Sequence, residues 1–146
     1  MEVRNLVRDF TNYRLRLGGY NNWGEEPVLS PSPIVKTVRL LALHFERKYE
    51  DRFEEMTATI DLLDHWSREA IEGVSKGLFE DGIRWGRIMG LIVFSARLSL
   101  NAMERDLPDR VDDIVEWTSD YLLSDFFRNW ILTHGGWVSN QVVLKN

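Results

Sequence analysis

Hydrophobic positions recur at helical spacing along almost the whole chain. Val3, Leu6, Val7, Phe10, Tyr13 and Leu17 fall three or four residues apart, which gives a first helix one apolar stripe. Gly18-Gly19 stops it. Residues 18–33 read as a loop, with Pro27, Pro31 and Pro33 near its end. A second helix is expected to start after Pro33, with Val38, Leu41, Phe45, Tyr49 and Phe53 as its stripe. Leu40 and Leu43 widen that stripe, so only a narrow face should stay wet. A short turn of helix is expected from Ile60 to Leu63. Ser67 then reads as an N-cap, with Glu69 in the electropositive first turn of a helix running to about Phe79. Asp81-Gly82 breaks it.

From Trp85 to about Met103 the pattern changes. Ile88, Met89, Leu91, Ile92, Val93, Phe94, Leu98 and Leu100 leave little polar face. A helix that is apolar nearly all round is buried on all sides, so this segment should be the central element. Asp106 is the expected cap of the next helix, with Pro108 in its first turn and Val111, Ile114, Val115, Thr118 and Leu122 as its stripe. Ser124 is the expected cap of a short helix carrying Phe126, Phe127, Trp130 and Ile131. Gly135-Gly136 ends it, and a last short helix is expected from Trp137 onward. No strand alternation competes and no repeat is visible. The fold class is therefore all-α: an apolar central helix over about 85–103, surrounded by amphipathic helices, in one domain spanning 1–146.

Composition narrows the function. The chain is 44% hydrophobic, a globular value rather than a disordered one. Its net charge of −5 disfavours nucleic acid as the main partner, because phosphate binding needs a basic field. There is no cysteine, which excludes disulfides and thiolate metal sites. No secretory signal is visible at the N-terminus. No apolar run reaches the roughly 20 residues of a spanning helix, so no membrane anchor is expected in this chain. His44, His65 and His134 lack ligand spacing, so no metal is expected. No phosphate loop, nucleophile elbow or nucleophilic cysteine is present, and Asp64-His65 has no evident nucleophile beside it. Neither catalytic residues nor a cofactor are expected.

The most informative stretch is Leu78-Phe79-Glu80-Asp81-Gly82-Ile83-Arg84-Trp85-Gly86-Arg87, at the doorway of the apolar segment. Arg87 is a fixed charge at the rim of a greasy surface. Gly86 removes a side chain beside it, so another backbone can approach. Such a surface suits an amphipathic helix with one acidic residue. Taken alone, such an arginine is more often a structural ion pair, here with Asp81 or Glu80; the Trp-Gly-Arg context favours the groove role. An aromatic stripe alone is ordinarily core. Trp85 and Trp137 read as structural, the first as a core plug and the second as a packing anchor.

With these motifs on an all-helical background, the chain resembles the Bcl-2 family of apoptosis regulators. One homology motif is matched by the stretch from Leu78 to Ile88. Another is matched by Trp130-Ile131-Leu132-Thr133-His134-Gly135-Gly136-Trp137. Asp9-Phe10-Thr11-Asn12-Tyr13-Arg14-Leu15, with Gly18-Gly19-Tyr20 after it, resembles the N-terminal homology helix. Phe45-Glu46-Arg47-Lys48-Tyr49 and Phe53 resemble the groove-lining face of the family's second helix. The resemblance implies a Bcl-2-like bundle with a hydrophobic groove lined by Phe45, Tyr49, Phe53, Val74, Leu78, Arg84, Gly86, Arg87 and Phe94.

Three departures stand out. The family usually has Asn before Trp-Gly-Arg; here Arg84 removes an amide and adds a charge that favours acidic ligands. Arg97 interrupts an otherwise apolar helix, where it must snorkel to an edge or pair with an acid. The family's death motif on the second helix is Leu-x-x-x-small-Asp, and the aligned residues are Val38, Ala42 and Leu43. With Leu43 in place of the Asp, the protein should receive death-motif helices and donate its own poorly.

The resemblance thus implies a pro-survival protein that sequesters the death-motif helices of pro-apoptotic partners. The short first loop also resembles compact viral members of the family. The competing readings are a membrane-perforating effector and an interaction module whose groove serves homodimerisation or an autophagy regulator. The expected location is cytoplasmic, with partners bringing the protein to the mitochondrial surface.

Overall fold

The computed structural model describes residues 3–26, 30–62 and 67–137. Its helices are α1 (Val3–Leu17), α2 (Pro33–Lys48), α3 (Glu50–Leu62), α4 (Arg68–Lys76), α5 (Trp85–Glu104), α6 (Asp109–Leu123) and α7 (Asp125–Thr133). A short 3-10 turn, Gly77–Phe79, extends α4. The helix α5 is the centre. It packs against α1, α2, α3 and α6, while α7 lies on α6 and α4 bridges α3 and α6.

Burial explains that arrangement. Trp85, Ile88, Met89, Leu91, Ile92, Val93, Phe94 and Leu98 of α5 are all buried. Burying one such side chain contributes roughly 1.5–3 kcal/mol. No single neighbour could cover all faces of α5, so four helices do. The central position expected for this segment is what the structure shows, as is the all-α architecture. The α6 stripe of Val111, Ile114, Val115, Thr118 and Leu122 is buried as its spacing required.

Both glycine stops at the end of α1 and before α5 work through backbone geometry. Gly19 adopts φ +93° while the Tyr20 amide bonds back to the Leu15 carbonyl at 2.9 Å, closing the last turn. Gly82 adopts φ +104° and turns the chain into α5. The following loop is fastened to the bundle. Trp23 is buried, with its indole N–H on Asp112 of α6 at 3.3 Å and Arg8 over its ring.

Several boundaries differ from the sequence expectation. Pro33 is the first residue of α2, in the position where its missing N–H costs nothing, rather than lying before the helix. The stripe assigned to one helix from Val38 to Phe53 is divided at Tyr49, and Phe53 belongs to α3. The expected short turn near Ile60 is the end of that 13-residue helix, with Phe53, Met56 and Ile60 buried along it; Leu63 lies outside the described residues. No glycine or proline marks the break at Tyr49, so local chemistry did not announce it. Leu40 is 61% exposed, which makes the wet face of α2 broader than expected. On α1, Leu17 is exposed and Leu15 takes the buried place. Asp106 does not cap α6. It sits at φ +59° as the left-handed residue closing α5, a conformation a short polar side chain tolerates, and Pro108 occupies the cap position of α6. Of the expected last helix only Trp137 is described; it is buried in a turn, edge-on to Trp85 at 5.1 Å. That contact fits the structural roles expected of both tryptophans. His65 lies outside the described residues.

Arg97 pairs with acids rather than snorkelling. Its Nη1 donates to Glu46 at 3.2 Å and to Glu50 at 2.6 Å, while Arg14 donates its Nε to both Glu46 oxygens at 2.9 and 3.0 Å. Glu46 is buried, so α1, α2 and α5 meet at one carboxylate, and Glu50 joins α3 to the same cluster through Arg97. Burial lowers the Arg97 guanidinium's affinity for its proton, but the hydrogen bond to Glu50 and the charges of Glu50 and Glu46 together hold it above the usual arginine value. A second bidentate pair, Arg39 with Asp9 at 2.9 and 2.7 Å, ties α2 to α1.

Two stability predictions follow from these contacts. Glu46→Ala removes the acid shared by Arg14 and Arg97 and should cost about 3–5 kcal/mol in chemical denaturation, the usual range for breaking a buried pair. Leu40→Gln, at an exposed site, should change stability by less than about 0.5 kcal/mol in the same assay. The two serine caps should also separate. The Ser67 hydroxyl accepts from the Ala70 amide at 3.1 Å, whereas the Ser124 hydroxyl, at the N-cap position of α7, donates back to the Tyr121 carbonyl and accepts no amide of α7. Ser67→Ala should therefore cost about 1 kcal/mol and Ser124→Ala clearly less.

Candidate functional site

The junction of α2, α3, the 3-10 turn and the start of α5 leaves a cavity of about 240 Å³. Each element contributes by its register. The last turn of α2 brings Phe45, with Tyr49 just past its end, and the two rings stack with centroids 6.2 Å apart. Arg52 and Phe53 come from the first turn of α3, and Leu78 from the 3-10 turn. Arg84, Gly86, Arg87 and Gly90 come from the N-terminal end of α5.

The floor is apolar: Phe53 and Leu78 are buried. Gly90 is also buried, and a Cβ there would lie 3.7 Å from Leu78, an ordinary contact. The absent side chain therefore leaves room rather than relieving a clash. Tyr49 is 44% exposed, so its ring stands at the mouth.

The rim is cationic. Arg52 and Arg84 are exposed and Arg87 is half-buried. Among the described residues none of the three takes part in an ion pair, and no acid lines this cavity. The structural pairing of Arg87 with Asp81 or Glu80, open on sequence grounds, is not formed. The α5 N-terminus at Arg84 has no side-chain cap, which adds the positive end of a 20-residue helix dipole.

A second cavity of about 510 Å³ continues from the first through Arg52 and Leu78. Met56, Thr59, Val74 and Gly77 line it, and Asp51 and Glu55 make its edge acidic. The two together form a trough along the flank of the bundle, basic at the α5 end and acidic beside α3.

Of the residues expected to line a groove, the structure brings Phe45, Tyr49, Phe53, Leu78, Arg84, Gly86 and Arg87 into the first cavity and Val74 into the second. Phe94 is the correction. It is fully buried in the core and lines neither cavity, because a helix covered on all sides turns that position inward one turn beyond Gly90. Lining residues were missed in both cavities, among them Arg52, Gly90 and Met56. Arg52 stands three residues after Tyr49, Gly90 four after Gly86 and Met56 three after Phe53, so helical spacing from residues already singled out would have found them. Chemically, an apolar trough with unpaired guanidiniums can take up nonpolar side chains and hold an anion beside them.

Comparison with known proteins agrees with this geometry. The family described as "Apoptosis regulator proteins, Bcl-2 family" matches residues 38–137. The "Apoptosis regulator Bcl-2" of Canis lupus familiaris is 34% identical over 113 residues, covering 76% of this chain and 48% of that protein. The corresponding protein of Gallus gallus is 30% identical over 111 residues, 75% of this chain and 47% of that protein. "Bcl-2-like protein 1" of Gallus gallus is 28% identical over 110 residues, with 75% and 48% covered. The chain thus spans about half the length of the curated relatives it matches. With the matched region running from α2 to Trp137 and containing every element of the trough, this chain belongs to the Bcl-2 family of apoptosis regulators.

Proposed function

We propose that this protein is a pro-survival member of its family, which holds the amphipathic death-motif helix of a pro-apoptotic partner in the trough between α2, α3 and α5. The observation that carries the reading is Arg87. It is half-buried at the edge of an apolar cavity and has no acidic partner among the described residues. A guanidinium placed so is completed by an acid from another molecule.

The energetics are adequate. A disordered peptide that folds on docking loses about 2–5 kcal/mol to ordering. Two or three apolar anchors seated over Phe53, Leu78, Met56 and Val74 offset that, at roughly 1.5–3 kcal/mol each when fully buried. The acid on Arg87 then fixes register more than it adds affinity.

Leu43 supports the receiving role over the donating one. It replaces the Asp of the death motif and is half-buried against the core, so α2 presents neither the charge nor a free apolar face at that point. A membrane-perforating role is the main competitor. Among the described residues no helix is long and apolar enough to cross a membrane, and the apolar α5 is committed to the core. The function so read is sequestration, with no reaction catalysed and no cofactor required.

Calorimetric titration with a panel of death-motif peptides tests this. At least one should bind with a sub-micromolar Kd, and Arg87→Ala should weaken it by about 2–5 kcal/mol, roughly thirty-fold to a few thousand-fold. Thermal stability of that variant should be nearly unchanged, since Arg87 forms no ion pair among the described residues. A flat response across the panel would reject the proposal, and peptide-independent leakage from anionic liposomes would favour the perforating role.

A further inference from the structure

The first cavity carries three guanidiniums where one would satisfy a single acid. Arg84 and Arg87 stand three residues apart at the start of α5, and Arg52 faces them from α3. None has an acidic partner among the described residues, although Arg4, Arg14, Arg39, Arg68, Arg97 and Arg105 all have one. Like charges gathered without a counter-charge repel, and a ligand with one carboxylate leaves most of that repulsion in place. The cluster is also a local exception, because the whole chain carries −5. Immediately beyond Arg52 the edge turns acidic at Asp51 and Glu55, neither of which is in an ion pair among the described residues. A long acidic stretch would be repelled there, so the matching negative charge must be compact.

We propose that Arg52 and Arg84 act with Arg87 to make this cavity a reader of two acidic residues one helical turn apart on the docked helix. The proposal rests on the groove reading given above and adds a specificity to it. Acids three or four residues apart project from the same face of a ligand helix, within the span that Arg84 and Arg87 cover across one turn. One carboxylate meets Arg87 in the half-buried position. The second lies between the exposed Arg84 and Arg52. Basic residues further along the ligand would meet Asp51 and Glu55.

The test uses the full chain and three death-motif peptides of identical length: one with both acids, one with the second acid changed from Glu to Gln, and one with both neutralised. Calorimetry measures each against the unaltered protein, Arg84→Gln and Arg52→Gln, and circular dichroism verifies that the variants are folded. The diacid peptide should bind about two- to fivefold tighter than the monoacid one, the upper part of the range expected for an added ion pair at a rim. Either Arg→Gln change should reduce that preference below about twofold, with the larger loss falling on the diacid peptide. The preference should also shrink as salt is raised. A preference below about twofold in the unaltered protein would overturn the proposal, as would equal losses for both peptides in the variants. Binding that depends on Arg87 with no preference for the second acid would reject only this specificity. Absence of binding by all three peptides would remove the groove reading together with it.

Discussion

The structure depends on the need to bury α5 on every side. Its apolar residues run almost all the way round the helix, so it cannot serve as one layer of a two-layer packing. Four other helices must surround it, and their lengths and connections follow from that demand. The trough arises where the cover is incomplete. At the N-terminal end of α5, Gly86 and Gly90 present no side chain, and the cover from α3 and the 3-10 turn does not close over them. The N-terminal end of the central helix therefore forms one wall of the trough.

Charge is distributed with the same economy. Inside the bundle, cations are matched. Glu46 takes Arg14 and Arg97 together, and Asp9 takes Arg39 through both guanidinium arms. These pairs join helices that share little chain, so they set how α1, α2 and α3 lie on α5. Buried pairs contribute more to that specificity of packing than to net stability. At the trough the matching stops. Among the described residues Arg52, Arg84 and Arg87 form no ion pair.

The aromatic residues divide in the same way. Trp85, Trp130 and Trp137 pack edge-on at one end of α5, with centroids 5.3 and 5.1 Å from Trp85. They hold the segment after α7 against the core. Phe45 and Tyr49 stack at the other side and are left half-open. In sequence the two sets look alike. What separates them is whether another element passes over them.

The chain's own pattern determined a great deal. The run from Ile88 to Phe94 required a buried helix, and the three-and-four spacing of Val111 to Leu122 required an amphipathic one, because periodicity and burial are local consequences of side-chain chemistry. Trp-Gly-Arg at the start of the apolar run lies beside a cavity, and eight of the nine expected lining residues line one of the two cavities. Tertiary structure alone decided the rest. The break at Tyr49 has no glycine or proline to announce it. Asp106 closes one helix instead of opening the next, which depends on a backbone turn and not on its side chain's propensity. Phe94 is core and Arg52 is rim, although both lie on helical stripes near the motif. Position along a helix tells which face a residue shares, but which face is covered depends on neighbours distant in sequence. Arg97 shows the limit most plainly: its two acids come from helices about fifty residues earlier, at separations of 51 and 47, and no local pattern links charges so far apart.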